Sequence, residues 1–361
     1  MRLLGLSLYG PQAASHRVRL SQFQPGLASA DIDLQVQSLL DDAYIQRCFA
    51  GGRPSLRALL TSYGRRIQAL RQMKHFELAI VYAELLPLIP AWLEKRLLQL
   101  PYILDLDDAF YLKYRSGRLS LLCPFLGAKI DRLMVAAAAV TAGNHQLFAY
   151  AQRFNANVHL LPSVVDTDLL RPLPQQPPAT ADASFTVGWI GSPSTAPYLD
   201  VLIEPLQQLA CERPVRLLVV GGPAPVIPGV EVIEQSWHLD QEPVLIQQFD
   251  VGVMPLPDTP WARGKCAYKL IQCLACGVPV VASPVGANVD VVSHSCGLLA
   301  SSSTDWLMAF KQLADDPQRR GQLGAAGRRW VEQRYSLRSA LPKLEHAIRG
   351  VVARSHSMHQ L

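Results

Sequence analysis

Short apolar runs alternate with amphipathic stretches of helical length along the whole chain. Leu3–Tyr9, Leu78–Tyr82, Tyr102–Leu106, Ala138–Ala142 and His159–Pro162 read as strands in the first half. Thr186–Ile190, Arg216–Val220, Gly229–Ile233, Val251–Pro255 and Pro279–Ser283 read so in the second. Runs this short and this apolar suit strands covered on both faces. Helical spacing fills the gaps at Pro54–Lys74, Leu119–Ala139, His145–Phe154, Ala196–Glu212, Tyr268–Cys276 and Thr304–Asp315. Two more helices, Gln318–Arg334 and Leu337–Ala353, end the chain, and there is no internal sequence repeat. Strands separated by helices predict βαβ units and mostly parallel sheets.

The Pro- and Ala-rich segment Arg171–Ala183 can neither pair nor coil, so it reads as a linker. The expectation is an α/β protein with Rossmann-like, doubly wound domains at 1–170 and 184–336. A C-terminal helix and tail at 337–361 is expected to cross back to the first domain. Such sheets bind ligands at the carboxyl ends of their strands. Two domains facing across a cleft would therefore carry their functional residues just after strands.

Composition narrows the class. With 361 residues, 49% hydrophobic and 17% charged, the chain can bury two cores and is not a disordered one. Its most apolar stretch, Leu78–Trp92, is broken by Glu84, Pro87 and Pro90, short of the roughly 20 apolar residues of a membrane span. The N-terminus has the outline of a signal peptide, but Leu3–Tyr9 is short for one and reads as a buried first strand. Seven scattered cysteines are no disulfide framework, which points to a reducing cytoplasm. Cys273 and Cys276 have C-x-x-C spacing, but in an apolar helical run without a second pair they read as packing residues.

Net charge is +5 and unevenly spread: residues 1–172 hold 19 basic and 13 acidic side chains, the remainder 15 and 16. Residues 43–76 contain no acid but carry Arg47, Arg53, Arg57, Arg65, Arg66, Arg71 and Lys74. That run is either a solvated helical face or a peripheral contact with anionic lipid on the inner face of the plasma membrane. Such a contact contributes about 1 kcal/mol per basic residue. No aromatic-interleaved basic motif supports nucleic acid as a partner.

The densest chemistry lies in Asp250–Asn288. A strand and a Pro-rich loop lead to Trp261-Ala-Arg263-Gly264-Lys265, then to an apolar helix, a second strand and a turn at Gly286. Arg263, Gly264 and Lys265 arrive at a helix start, and Lys269 follows Lys265 on the same face. These cations would repel one another without an anion between them, and a diphosphate fits. Val187–Thr195 is a strand followed by a turn at Gly191 and Ser192. There is no G-x-G-x-x-G, which argues against a dinucleotide dehydrogenase.

In the first half, Asp105, Asp107 and Asp108 end a strand. They could hold a cation, orient an acceptor hydroxyl or take its proton. They could equally cap a helix and pair with Arg17 or Arg19. Ser15, Arg17 and Arg19 follow the first strand, Asn144 follows another, and each reads as a cleft residue or, for Asn144, as a helix cap.

Leu274-Ala-Cys-Gly-Val-Pro-Val-Val-Ala-Ser283 resembles the GT-B glycosyltransferases of retaining family 4. The P-W-x-R-G-K-C…K and S-x-R-V-R stretches are similar to a branch from bacterial exopolysaccharide clusters. The resemblance implies transfer of a hexosyl group from a nucleotide-diphosphate sugar to a glycan or lipid-linked acceptor, with retention and without cofactor or metal. It implies donor contacts at Gly191, Ser192, Trp237, Arg263, Gly264, Lys265, Lys269, Gln272 and Gly286. Lys265 would neutralise the leaving diphosphate, while Asp107 and Asp108 would act on the acceptor side. Asp166 matches the family's stretch between the domains, or caps a helix. The family's two donor-site glutamates fall here on Gly264 and Gln272. Gln272 can still bond a ribose hydroxyl, whereas Gly264 has no side chain. That departure keeps two other classes open, a nucleotide-sugar epimerase and a non-catalytic or glycan-binding relative.

Overall fold

Twelve strands, all paired in parallel, form two six-stranded sheets in the computed structural model, which describes residues 1–49, 52, 55–173, 184–292 and 295–358. One compact unit comprises Met1–Ser163 and the chain from Ala340 on, the other Val164–Ser339. The boundary precedes the predicted linker, of which residues 174–183 lie outside the described residues. The backbone explains this placement. Val165 donates to the Tyr335 carbonyl at 3.0 Å, and Leu337 donates to the Val165 carbonyl at 2.8 Å. Arg328 then spends its guanidinium on the carbonyls of Thr167, Leu170 and Ala275, at 2.6–2.8 Å.

The first sheet contains β1 (Arg2–Ser7), β2 (Asp33–Ser38), β3 (Leu78–Tyr82), β4 (Tyr102–Leu106), β5 (Ala139–Ala142) and β6 (Val158–Leu160), in the order β2-β1-β3-β4-β5-β6. Every residue of β3, β4 and β5 is buried, and these strands are apolar but for Asp105 in β4 and Thr141 in β5. β2 escaped the sequence reading because it is an edge strand, and Asp-Leu-Gln-Val-Gln-Ser buries little besides Leu34. The predicted helix at 54–74 is observed as Leu56–Arg71, with Pro54 outside the described residues. The one predicted at 119–139 is divided into a 3-10 turn at Gly117–Leu122 and helices at Cys123–Leu126 and Lys129–Ala136. Pro124 restarts the helix there, since proline lacks the N–H an interior position must donate.

The second sheet contains β7 (Phe185–Ile190), β8 (Val215–Val220), β9 (Glu231–Gln235), β10 (Val251–Met254), β11 (Val280–Ala282) and β12 (Gly297–Leu299), in the order β12-β11-β10-β7-β8-β9. Counted within this unit the order is the Rossmann 3-2-1-4-5-6, and the direction of winding reverses between β7 and β10. β12 was missed because it is an edge strand with no fully buried residue, which leaves a weaker apolar signal than the equally short β11. The predicted helix at 196–212 is a 3-10 stretch, Pro193–Leu202, followed by a helix at Ile203–Ala210, with Pro197 inside the first. Two apolar layers cover the sheet. One centres on Trp189, Trp306 and Phe310, the other on Phe249, Leu270 and Leu274. Close approach forbids a side chain on two strand glycines. A Cβ on Gly188 would collide with the Phe249 ring, and one on Gly252 would stand 2.5 Å from Cys273 Sγ. Cys273 and Cys276 are packing residues, and burial pushes the Cys276 thiol up to about 12.

Candidate functional site

In the second unit, the turns after β7, β8 and β9 meet the helix Tyr268–Ala275 at the carboxyl edge of the sheet. This is the side where ligands settle at a reversal of winding. Gly191 leaves β7 so close to that helix that a Cβ would collide with the head of Lys269 and lie 2.7 Å from the Trp189 ring. Gly221, just after β8, adopts φ +84, which L side chains avoid, and its Cβ would stand 2.6 Å from the Gly191 carbonyl and 3.1 Å from Trp237 Cβ. Sequence reasoning found Gly191 and missed Gly221 and Gly222, although a Gly-Gly pair after an apolar run was the available signal.

Lys269 is the electrostatic centre of this edge. Its Nζ donates to Thr195 Oγ1 at 2.8 Å and lies 4.1 Å from the centre of the Trp189 ring. Burial first, and the charge of Lys265 second, push its pKa down to about 7. A hydroxyl and an aromatic face stabilise an ammonium weakly compared with an anion, so bound phosphate would restore its charge. Lys265 belongs to the connection between the short helix Pro260–Arg263 and the helix Tyr268–Ala275, and its N–H donates to the Ala262 carbonyl at 3.1 Å. Ala267, at the helix start, takes a left-handed conformation with φ 54. For a residue with a Cβ this conformation costs on the order of 1–3 kcal/mol, a strain typical of functional sites.

Arg263 does not join the lysines as expected. It is exposed and forms a fork on Asp258, with Nε–Oδ1 at 2.6 Å and Nη2–Oδ2 at 2.9 Å, and that hydrogen bonding lowers the Asp258 pKa. The acid five residues upstream neutralises it locally. Gly264 is buried and its N–H donates to the Trp261 carbonyl at 3.1 Å, while Gly286 serves close packing. Gly286, at φ +55, has the Arg263 carbonyl 2.5 Å from where its Cβ would be. Ser192 shares a hydroxyl contact of 2.9 Å with Ser194 and opens the stretch that delivers Thr195 to Lys269.

Gln272 is buried, and its Nε2 donates to Glu242 Oε1 at 2.5 Å. Trp237, half-buried after β9, donates from Nε1 to the same oxygen at 3.1 Å. Glu242 is buried too, and the sequence reading passed over it because an acid after a polar loop looks like ordinary surface.

In the first unit the three aspartates part company. Asp105 accepts from Arg19 Nε at 2.8 Å and Nη2 at 2.6 Å, and from Thr141 Oγ1 at 2.6 Å. Both partners of the ion pair are buried, so of the two readings of Arg19, a cleft residue or a partner of these acids, the structure shows the second, and Arg19 also donates to the Leu161 carbonyl at 2.9 Å. Asp108 accepts from Ala109 N at 3.0 Å. Asp107 accepts from the Tyr82 hydroxyl at 2.6 Å, and burial pushes its pKa up to about 6 against the pull of Arg19 and Tyr82. No group of three or more metal-ligating side chains converges among the described residues.

The remaining first-unit candidates are accounted for locally. Asn144 caps the helix His145–Ala151 by accepting from Leu147 N at 2.8 Å. Arg17 donates to the carbonyls of Pro11 and Gln12, bracing the turn after β1, while Ser15 is half-buried beside it. In the second unit, Asp166 accepts from Asp168 N at 2.9 Å. The basic run is not one face. Arg47, Arg57, Arg65, Arg71 and Lys74 are exposed, but Arg66 is fully buried against the carbonyls of Ser7, Gln37 and Leu85, and Arg53 lies outside the described residues.

Two parallel Rossmann-like sheets with this topology define the chain as a GT-B fold. Residues 184–316 match the family described as glycosyl transferases group 1. The fold is similar to Anabaena Alr3699/HepE, solved with UDP and glucose, at TM-score 0.70 and 15% identity over 97% of this chain and 99% of that one. Sucrose-phosphate synthase of Thermosynechococcus elongatus is similar at TM-score 0.70 and 17% identity, covering 98% of this chain and 100% of that one. A GDP-mannose-dependent monoacylated alpha-(1-6)-phosphatidylinositol monomannoside mannosyltransferase of Corynebacterium glutamicum is 28% identical over 207 residues, 49% of this chain and 52% of the relative. The chain spans about half the length of the curated relatives it matches.

Proposed function

We propose that the protein is a hexosyltransferase whose second unit binds a nucleotide-diphosphate sugar at the carboxyl edge of its sheet. The observation that carries this reading is Lys269, a buried ammonium beside a second lysine, under a glycine turn at the reversal of winding. In transfer, the bond between the sugar and the diphosphate oxygen breaks and charge grows on the departing diphosphate. Lys265 and Lys269 would stabilise that charge, a preorganised electrostatic contribution. The new bond forms to an acceptor hydroxyl, whose proton must leave. Asp107, with a carboxyl raised to about 6, is the acceptor-side group we assign to orient that hydroxyl or take the proton, with Asp108 beside it in sequence. Retention of configuration and a glycan or lipid-linked acceptor in polysaccharide synthesis complete the reading. A relative with 28% identity is named for a lipid-linked mannoside acceptor and a GDP-mannose donor, which supports the acceptor class.

Peripheral contact with anionic lipid is part of the same proposal. The helix Leu56–Arg71 exposes Leu56 by 71% and Leu60 by 65% beside Arg57, an amphipathic outer face suited to a lipid surface. No helix among the described residues is long and apolar enough to cross a membrane.

The test is a thermal-shift panel of UDP, GDP, ADP and dTDP on wild type, Lys265→Ala and Lys269→Ala, with and without magnesium. A ligand at 100 times its Kd adds about 2.7 kcal/mol. A shift with one nucleotide, lost in both variants, is expected; no shift with any of them overturns the donor site.

A further inference from the structure

The structure assigns Glu84 as a positioning residue: its buried carboxylate fastens the far end of the stretch 107–114 after β4 and so holds Asp107 in place on the acceptor side. This inference rests on the acceptor-side reading of Asp107 above and adds a residue that acts through it.

The end of β3 grips that stretch at two points. Tyr82, the last residue of β3, donates to Asp107 at 2.6 Å and meets the Phe110 ring edge-on, with ring centres 5.5 Å apart. Two residues on, Glu84 accepts from Lys113 Nζ at 2.5 Å and from the Tyr114 hydroxyl at 2.9 Å. Between them Ala83 takes φ 61, a conformation that residues with a Cβ avoid, and its N–H donates to the Asp105 carbonyl at 2.9 Å. The chain thus leaves β3 in a turn braced by β4, and both ends of 107–114 are tied to that turn.

The second tie is anchored in the core. Glu84 is fully buried and also accepts from Lys129 Nζ at 2.5 Å. Lys129 in turn meets Glu94 at 2.8 Å, and Glu94 accepts from Leu86 N at 2.7 Å. Two carboxylates and two ammonium groups balance, and Lys113 is the member nearest solvent, at 24% exposure. A buried ion network of this kind contributes little net stability compared with apolar side chains of the same volume, yet removing one member strands another charge. What it supplies is one fixed arrangement, reaching from the core to the acceptor-side stretch.

Asp107 reports on that arrangement. Burial raises its carboxyl against the pull of Arg19 and Tyr82, with smaller upward pushes from Asp105 and Asp108. Loosening the far end of the stretch admits water to the carboxyl and lets its pKa fall toward the ordinary carboxylate range. Charge acting at a distance behaves differently. Loss of the Glu84 anion alone would lower the Asp107 value, and loss of the Lys113 cation alone would raise it. Positioning moves both variants the same way, downward.

The experiment is an NMR titration of the full chain labelled with carbon-13 at the aspartate side-chain carboxyls, the Asp107 signal being the one lost in Asp107→Asn. Wild type is expected to titrate at about 6. Glu84→Gln and Lys113→Met are each expected to lower that midpoint by roughly 0.5–1 in pH. A midpoint that stays put or rises in either folded variant overturns the assignment, as does a wild-type midpoint already in the ordinary range. Lys113→Met carries the test if Glu84→Gln does not fold, because Glu84 then keeps Lys129 and Tyr114. Failure of the underlying reading shows elsewhere: transfer undiminished in Asp107→Asn overturns the acceptor-side role of Asp107, whereas the titration alone decides whether Glu84 positions it.

Discussion

Lys269 Nζ lies 4.1 Å from the centre of the Trp189 ring, with the Thr195 hydroxyl as its hydrogen-bond acceptor at 2.8 Å. That relationship joins β7, the stretch after it and the helix Tyr268–Ala275 into one electropositive corner. A folded pKa near 7, far below the ordinary 10.5, means the unfolded chain binds the proton more tightly. Stability should therefore rise with pH from about 7 to about 10.5 through this group. In Lys269→Met that rise disappears, which chemical denaturation at pH 6, 8 and 10 would show. Nucleotide affinity should run the opposite way and weaken as pH climbs through that window, because the ammonium the phosphate needs is lost.

Gly191 tolerates no side chain. A Cβ there would lie 2.6 Å from Lys269 Cε and 2.7 Å from the Trp189 ring. Gly191→Ala should destabilise the fold by about 1–3 kcal/mol, the range for forced overpacking. It should also abolish the nucleotide-induced rise in Tm. Survival of that rise would show that the lysine head is not at the phosphate site.

Arg263 and Asp258 satisfy each other at the surface. Arg263→Ala is therefore expected to leave the nucleotide shift as in wild type, unlike Lys265→Ala and Lys269→Ala. A lost shift would return Arg263 to the phosphate-binding group.

The Arg19–Asp105 pair is fully buried. Arg19→Met leaves an uncompensated carboxylate and should cost about 3–5 kcal/mol in urea unfolding. The double variant Arg19→Met with Asp105→Leu should recover much of that loss. If both cost the same, packing and not charge sets the penalty.

Asp107 carries the pH dependence of transfer. If it accepts the acceptor's proton, activity should fall as pH drops below about 6, the value to which burial raises it. Asp107→Asn should lower kcat by roughly 10²–10⁴-fold. Tyr82→Phe removes the hydrogen bond that lowers the Asp107 pKa, so the acid limb should move to higher pH. A limb that stays put would separate Tyr82 from the catalytic proton.

Much of the architecture was legible in the chain itself. β3 and β4 fall on the predicted residues because strands buried on both faces are apolar at nearly every position, Asp105 being the exception in β4, and that signal is local. Gly191 was picked out by the same logic, as a turn after such a run, the lysines by the helix start they flank and Trp237 by the resemblance alone; their donor role belongs to the proposal. What tertiary structure decided was which charges remain open to a ligand. Arg19 and Asp105 are 86 residues apart, and Gln272 and Glu242 are 30 apart, so no spacing rule pairs them. The carboxyl edge that brings Gly191, Gly221, Trp237 and Lys269 together exists only once the strand order places β7 between β8 and β10. Apolar periodicity records whether a segment is buried; burial of a charge depends on a partner that arrives from elsewhere in the chain.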